Sequence, residues 1–169
     1  ALETGEAMTA VKLAVETDSI DLCGLHCHIG SQIFDIAPFE LAAKVMIDFI
    51  SEIKETVGYE IRELNLGGGF GIKYLESDTP KPFSEYMKRV SVVVKNEAEK
   101  KNVKLPFILI EPGRSVVGAE GVTVYTVGAV KHIPNIRTYV SVDGGMTDNP
   151  RYILYQSDYD VMCANKANE

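Results

Sequence analysis

The chain contains 169 residues, of which 46% are hydrophobic and 24% charged, and it carries a formal net charge of −7 at pH 7. A chain of this length and composition can bury a sizeable core. The acidic balance argues against a nucleic-acid-binding protein, because such proteins carry basic patches. No apolar stretch approaches the length of a membrane-spanning helix, so we expect no membrane partner.

The first part of the chain alternates between helical and strand-like patterns. The predicted elements are a helix over residues 4–16, a strand over 20–27, a helix from Pro38 to Gly58, a strand over 61–66, a helix over 84–101 and a strand over 107–111. The helices are predicted from apolar residues spaced by three and four, and the strands from short apolar runs. This order predicts an α/β fold in which helices join parallel strands.

From residue 118 onward the pattern becomes rich in β-formers. Residues 121–133, 137–145 and 152–163 alternate in polarity and have no helical segment between them. We therefore predict two domains, one over residues 1–117 and a truncated antiparallel β domain over residues 118–169.

Three polar or glycine-rich strings coincide with the ends of the three predicted parallel strands. They are LHCHIGSQ at 25–32, LNLGGGFG at 64–71 and ILIEPGRS at 108–115. In a (β/α)8 TIM-type barrel the loops after the strands carry the chemistry. A complete barrel has eight strands and roughly 250 residues, so we expect part of a barrel and a chain that is a piece of a longer protein. The converging groups suit a ligand with a flat ring, a phosphate and a ring nitrogen, such as pyridoxal 5'-phosphate.

His26 and His28 flank Cys27 at the end of the first predicted strand. This spacing also occurs among metal ligands of barrel hydrolases, but such a site needs further ligands, and the third histidine, His132, lies in the β-rich part. We therefore predict no metal site and interpret His28 as an imidazole that stacks on a flat cofactor. A structural role for one of the two histidines is the alternative.

The chain has three cysteines, Cys23, Cys27 and Cys163. An odd number of cysteines without a recognisable signal peptide favours free thiols and a cytoplasmic location. Cys23 and Cys27 lie in a strand pattern without two further thiolates, which argues against a zinc site.

Gly67, Gly68 and Gly69 follow the second predicted strand. Consecutive glycines let backbone N–H groups approach an anion without obstruction by Cβ atoms. The run is not the dinucleotide pattern G-x-G-x-x-G, and no helical pattern begins directly after it. We predict a phosphate-binding loop to which Ser31 adds a hydroxyl group; a plain turn is the alternative.

Glu111 and Arg114 follow the third predicted strand, with Pro-Gly between them. A carboxylate beside a pyridine nitrogen keeps that nitrogen protonated, and a protonated ring is the better electron sink. An arginine suits a phosphate or a carboxylate. A solvent-exposed ion pair is the alternative interpretation.

Arg151 and Tyr155 lie four residues apart, after the polar loop 143–150. Both are candidates for binding a substrate carboxylate through a planar guanidinium and a phenol. Either is equally compatible with a place on the surface.

The strings HIGSQ, LGGGFGIKY, EPGRS and DGGMTDNPR together resemble the diaminopimelate decarboxylase family. That family belongs to the alanine-racemase-like class of pyridoxal-phosphate enzymes, which also contains ornithine and arginine decarboxylases. The likeness covers essentially the whole chain. It implies about the last three β/α units of the barrel, followed by the start of a C-terminal β domain.

The resemblance also implies roles for individual residues. His28 stacks on the pyridine ring, Ser31 and Gly67 to Gly69 hold the phosphate, Glu111 meets the ring nitrogen, and Arg114, Arg151 and Tyr155 bind substrate carboxylates, with Arg114 also near the phosphate. The implied reaction converts meso-2,6-diaminopimelate to L-lysine and CO2 in lysine biosynthesis, in a homodimer. One departure is Tyr152, which stands where the family usually has a proline.

Two parts of the family's site have no counterpart in this sequence. The cofactor-bearing lysine, in a string like YAVKAN, is absent, and so is the string C-E-S-G-D, which the neighbouring subunit contributes. The resemblance therefore implies that this chain is inactive alone. The alternatives are a decarboxylase of the same fold that acts on ornithine, arginine or carboxynorspermidine, and a non-catalytic barrel module that binds pyridoxal phosphate. Arg151 favours a substrate with a second carboxylate.

Overall fold

The computed structural model describes residues 1–167. Their contacts divide the chain into two compact units, one formed by Ala1–Ile72 with Thr79–Gly118 and the other by Lys73–Asp78 with the chain from Ala119 onward. No helix in residues 1–167 combines the length and the apolar character that crossing a membrane requires.

The first unit is a small parallel α/β structure. Its elements in chain order are α1 (Glu6–Glu16), β1 (Gly24–His26), α2 (Ala37–Val57), β2 (Glu63–Asn65), α3 (Phe83–Lys100), β3 (Phe107–Leu109) and α4 (Gly113–Val117). The three strands are parallel in the order β1-β2-β3, with His26 opposite Asn65 and Asn65 opposite Leu109. Because the strands are parallel, their carboxyl ends and the loops that follow share one edge of the sheet.

The predicted helices are present. The second predicted helix, α2, begins with Pro38 in its first turn, where proline's missing N–H costs nothing, and ends at Gly58 in a left-handed conformation with φ of 71°. Its buried side includes Phe39, Ala43 and Ile47, which follow the predicted helical spacing. The five-residue helix α4 was not predicted.

The predicted strand boundaries 20–27, 61–66 and 107–111 are wrong, because each strand is paired over only three residues. Backbone hydrogen bonds extend the pairing past the carboxyl ends of the strands, from Cys27 N to Asn65 O on one side of β2, and from Leu66 N to Leu109 O and Glu111 N to Gly67 O on the other. Beyond these bonds the chains diverge into the loops that carry the polar strings.

The core lies between one face of the sheet and the two long helices. Leu25, Leu64 and Ile108 are in register on this face, and Leu64 is completely buried among apolar residues of α2 and α3. Successive residues of a strand point to opposite faces, so His26 and Asn65 belong to the other face. That second face is open in this chain, as the 72% exposure of Phe107 shows.

The second unit contains an antiparallel hairpin of β4 (Val127–Ile133) and β5 (Arg137–Val142). At the open end of the hairpin, Asp143 Oδ1 accepts a hydrogen bond from Thr126 N at 2.8 Å. This backbone contact lowers the pKa of Asp143. The prediction of strands over residues 121–133 and 137–145 is confirmed for 127–133 and 137–142, and is wrong for 121–126 and 143–145.

The predicted strand over residues 152–163 is wrong. The chain instead forms the short helix α5 (Arg151–Tyr155) and a 3₁₀ turn over Ala164–Lys166. The reason lies in Pro150, whose restricted φ suits the start of a helical turn and whose carbonyl accepts the N–H groups of Ile153 and Leu154.

Candidate functional site

The loops after β1, β2 and β3 form a cleft of about 200 Å³ at the carboxyl edge of the parallel sheet. The residues that line it are His28, Ser31, Gly68, Gly69, Phe70, Glu111, Pro112, Gly113, Arg114 and Ser115. Six of the residues predicted from the sequence therefore meet in one place: His28, Ser31, Gly68, Gly69, Glu111 and Arg114. An imidazole, two serine hydroxyls, a carboxylate and a guanidinium share this cleft.

The glycine run is packed from both sides by the neighbouring loops. A Cβ atom on Gly67 would lie 2.5 Å from the Cys27 carbonyl oxygen, and one on Gly69 would lie 2.3 Å from the Gly30 carbonyl oxygen. Both glycines also have positive φ, at 69° and 94°. The run thus has a structural role, which is to let the β1 and β2 loops approach each other at backbone distance.

Two of the N–H groups in this run already have acceptors. Gly67 N donates to Asn65 Oδ1 at 2.8 Å, and Gly68 N donates to His28 Nδ1 at 3.3 Å. The second bond makes Nδ1 of His28 an acceptor, which orients the imidazole ring at the edge of the cleft. Within residues 1–167, the N–H groups of Gly69 and Phe70 donate to no protein acceptor.

The loops after β1 and β2 are further tied together by Gln32. Its Nε2 donates to Ile72 O at 2.8 Å, and its Oε1 accepts from Ile72 N at 3.2 Å. Next to it, Ile33 pairs with Phe70 as in a parallel sheet, with Ile33 N donating to Gly69 O at 2.9 Å. These bonds hold Ser31 and Gly69 at fixed places in the cleft.

A buried tyrosine contacts the same loops from the core side. Tyr86 of α3 donates its hydroxyl to the carbonyl oxygens of Ile33 at 3.2 Å and Phe34 at 3.1 Å. Its ring packs edge-on against Phe39 and Phe70. Burial raises the pKa of Tyr86, so the hydroxyl remains a donor across the physiological range.

The third loop contributes the carboxylate. Glu111 follows β3, and its backbone N–H donates to Gly67 O at 2.8 Å. Its Oε1 accepts from Asn65 Nδ2 at 2.7 Å and lies 3.6 Å from His26 Nε2. Helix α4 then begins at Gly113, which places Arg114 and Ser115 in the wall of the cleft.

Of the other three predicted residues, Gly67 belongs to the glycine run described above, and two lie in the second unit. Arg151 and Tyr155 are one turn apart on α5, with the guanidinium carbon 5.4 Å from the centre of the phenol ring. Both side chains are exposed. Their predicted contact with a substrate stays a prediction.

Sequence reasoning missed Asn65 and Gln32. Asn65 is the last residue of β2 and stands directly before the predicted loop, a position from which a polar side chain can reach a site at the strand ends. Its contact with Glu111 depends on the pairing of β2 with β3, however, and no local pattern gives that register. Gln32 stands next to Ser31 in the first polar string, but its contacts with Ile72 depend on the approach of the two loops, which no local pattern gives.

Residue Cys27 is half-buried beside the cleft, and burial raises the pKa of its thiol. A raised pKa keeps the group as a thiol, which is a poor nucleophile and a poor metal ligand. Within the described part of the chain, no three His, Cys, Asp or Glu side chains gather in a group suited to a metal ion.

Comparisons with known proteins agree on one class of enzyme. Diaminopimelate decarboxylase of Halalkalibacterium halodurans is 49% identical over 168 residues, and that of Bacillus subtilis is 45% identical over 168 residues. Each alignment covers 99% of this chain and 38% of the relative, so the chain spans well under half of their length. A crystal structure of diaminopimelate decarboxylase from M. jannaschii in complex with L-lysine matches with a TM-score of 0.80 and 35% identity, over 94% of this chain and 36% of that one.

A family model supplies the broader assignment. The model for the pyridoxal-dependent decarboxylases, pyridoxal binding domain, matches residues 2–118, which include all three parallel strands and every residue that lines the cleft. The chain therefore belongs to the pyridoxal-dependent decarboxylases.

Proposed function

We propose that this chain supplies half of the active site of a diaminopimelate decarboxylase, which converts meso-2,6-diaminopimelate to L-lysine and CO2 with pyridoxal 5'-phosphate. The observation that carries the proposal is the convergence of His28, Glu111 and Arg114 with two serines on one cleft. The names of the relatives supply the substrate, and their greater length supplies the expectation that this chain acts as part of a longer protein.

The donor set of the cleft fits pyridoxal phosphate. A phosphate needs N–H, O–H and cationic donors, and the cleft offers the N–H groups of Gly69 and Phe70, the hydroxyl of Ser31 and the guanidinium of Arg114. A nearby carboxylate favours the protonated form of a pyridine nitrogen, and Glu111 provides one in the cleft. The imidazole of His28 is flat and held by Gly68, which suits the face of an aromatic ring.

The bound cofactor supplies an electron sink for the carbanion that remains when CO2 leaves the substrate. The residues of this chain bind the cofactor and favour the protonation state in which its ring accepts electrons. Glu111 keeps a proton on the ring nitrogen by electrostatic attraction. His28 restrains the ring, and Gly67 and Gly68 act by close packing that keeps the three loops together.

We further propose that residues 1–117 form the C-terminal part of the barrel, with about its last three β/α units, and that residues 118–169 begin the β domain. The open face of the three-stranded sheet supports this assignment, since parallel sheets are normally covered on both faces. Arg151 and Tyr155 bind the distal carboxylate of the substrate in this proposal, and the whole protein is a cytoplasmic homodimer.

The experiment that tests the function is an assay of the complete protein with added pyridoxal phosphate. We expect CO2 release from meso-2,6-diaminopimelate and little from ornithine or arginine. Preference for ornithine or arginine would assign the protein to another decarboxylase of the same fold. Cofactor binding without CO2 release from any of the three would assign it to a non-catalytic module.

A further inference from the structure

Asn65 bridges the glycine run and the carboxylate of Glu111. Its Oδ1 accepts the N–H of Gly67 at 2.8 Å, and its Nδ2 donates to Glu111 Oε1 at 2.7 Å. The residue is half-buried at the end of the central strand, with one partner on its own loop and the other on the loop after β3.

These two partners determine which way the side-chain amide faces. A backbone N–H requires an acceptor, and a carboxylate requires a donor, so only one orientation of the amide satisfies both. The reverse orientation would place the amide oxygen against the carboxylate and the NH2 group against another N–H. The amide of Asn65 is therefore matched to Glu111 by its chemistry as well as by its position.

Glu111 needs such support because its side chain is otherwise loosely held. Its side chain is 57% exposed, and it has several rotatable bonds at the start of a loop. Both of its side-chain contacts, with Asn65 and His26, are made by Oε1. Within residues 1–167 no hydrogen bond reaches Oε2, which leaves that oxygen for a ligand.

We infer that Asn65 is a positioning residue for Glu111: it holds Oε1 so that Oε2 faces the ring nitrogen of the cofactor. The inference rests on the proposed function, because it takes the partner of Glu111 from there. Asn65 itself touches neither cofactor nor substrate in this arrangement. Its effect passes through the carboxylate, and a fixed carboxylate loses less entropy when it meets the ring nitrogen.

The substitution Asn65→Asp separates this role from a merely structural one. The aspartate keeps an oxygen for the Gly67 N–H but replaces the donor toward Glu111 with a second carboxylate. In the complete protein we expect kcat to fall about tenfold or more with little change in KM, since a charge-assisted bond is replaced by repulsion. We expect the absorption band of bound pyridoxal phosphate to shift from its wild-type position, because the band depends on the ring nitrogen's protonation.

A double variant that exchanges the hydrogen-bond donor and acceptor provides the second test. In N65D/E111Q the glutamine amide donates to the aspartate, so the hydrogen bond is restored with its direction reversed. We expect the thermal midpoint to return to within a few degrees of the wild type, while kcat stays at the level of E111Q alone. Asn102→Asp is the matched control, because it makes the same change at an exposed position outside the cleft, and we expect it to leave kcat and the spectrum unchanged.

The outcomes are distinguishable. An N65D protein with wild-type kcat and spectrum, beside an impaired E111Q, overturns the inference and leaves the proposed function in place. Wild-type turnover by E111Q itself overturns the role of Glu111 in the proposed function. Should N65D fail to fold, Asn65→Ser tests the same point, and an equal loss of kcat from N65S in the wild-type and E111Q backgrounds overturns the inference, because the two residues then act independently.

Discussion

Gly68 lies so close to Glu111 that a Cβ atom on the glycine would stand 2.2 Å from the Glu111 carbonyl oxygen. No contact at that distance is tolerated, so any side chain at this position forces the β2 and β3 loops apart. The catalytic carboxylate of the proposed site thus depends on the absence of a side chain on the neighbouring loop.

The substitution Gly68→Ala should therefore weaken cofactor binding as well as stability. Overpacking costs about 1–3 kcal/mol in protein cores, and backbone contacts relax less readily than side chains. Fluorescence titration with pyridoxal phosphate and thermal unfolding of the complete protein measure the two effects. Gly113→Ala is the control in the same cleft, because a Cβ atom there meets nothing within 4 Å. Equal behaviour of the two variants would show that the close approach to Glu111 is unimportant.

Removing the hydroxyl of Tyr86 should loosen the loop after β1. Tyr86→Phe removes the hydroxyl that donates to Ile33 O and Phe34 O, at an expected cost of about 1–2 kcal/mol. Ile33 O keeps the N–H of Gly71 at 2.9 Å, whereas Phe34 O loses its donor. We expect faster hydrogen exchange in residues 28–34 and weaker binding of pyridoxal phosphate. Tyr59→Phe removes a comparable bond, to Leu22 O, outside the cleft and should leave cofactor binding unchanged. Weaker binding in both variants would point to a general loss of stability.

An ion pair outside the cleft predicts a pH dependence. Hydrogen bonding to Arg62, together with its charge, lowers the pKa of Asp21 below the ordinary value of 3.8. The ionised carboxylate is therefore favoured in the folded state, and its stabilising effect is present above the ordinary pKa and lost as the pH falls below it. The difference in thermal midpoint between the wild type and Asp21→Asn should shrink as the pH is lowered from 5 to 3. Asp18→Asn, nearby and exposed, is the control, and an undiminished difference for Asp21→Asn at pH 3 would contradict the prediction.

The proposed binding of the substrate's distal carboxylate by Arg151 predicts a change in KM. Arg151→Lys keeps the charge but loses the planar pair of donors, so KM for diaminopimelate should rise roughly tenfold or more. A substrate analogue without the distal carboxylate should be affected little. Arg137→Lys is the matched control, since Arg137 also lies over a tyrosine ring, at 5.8 Å. Equal losses for both compounds would place Arg151 away from the distal carboxylate.

The chain of 169 residues should not decarboxylate alone. Covalent catalysis with pyridoxal phosphate needs a lysine amine that bonds to the cofactor, and the family's lysine string has no counterpart here. Lys73 and Lys166 occur in other sequence contexts. Measured CO2 release from meso-2,6-diaminopimelate, with added cofactor, should equal the rate without protein, and turnover above that rate would contradict the expectation of an incomplete site.

Regular helical periodicity made most of the first unit predictable. Apolar spacing located α2 and α3 because each helix buries one continuous side, and Pro38 and Gly58 marked the ends of α2. Pattern-based prediction failed in the second unit. There Tyr152 and its neighbours alternate in polarity like a strand, but they follow a proline that starts a helical turn. Local preference at one residue outweighed a pattern that had no partner strand in the described chain.

The site was predictable where its residues act through their own chemistry. His28 and Glu111 could be named because each has a polar, chemically reactive side chain and directly follows an apolar strand. In a parallel α/β fold that is where binding and catalytic residues lie. Asn65 could not be named, because its contact with Glu111 depends on the strand register that brings the two residues together. The packing of Gly68 against Glu111 was equally hidden, since the sequence separates the two by more than forty residues.

The packing of Gly67, Gly68 and Gly69 against the adjoining loops has a consequence for protein engineering. Each of the three glycines touches the backbone of a different neighbour, at Cys27, Glu111 and Gly30. A loop transplanted from another enzyme must therefore place its carbonyl groups at the same positions relative to the glycine run. Otherwise it will clash with an adjoining loop that was left unchanged. Attempts to change substrate specificity by exchanging one loop should fail more often than exchanges of all three loops together. The three loops, and not any single one, are therefore the unit that can be transferred between enzymes of this fold.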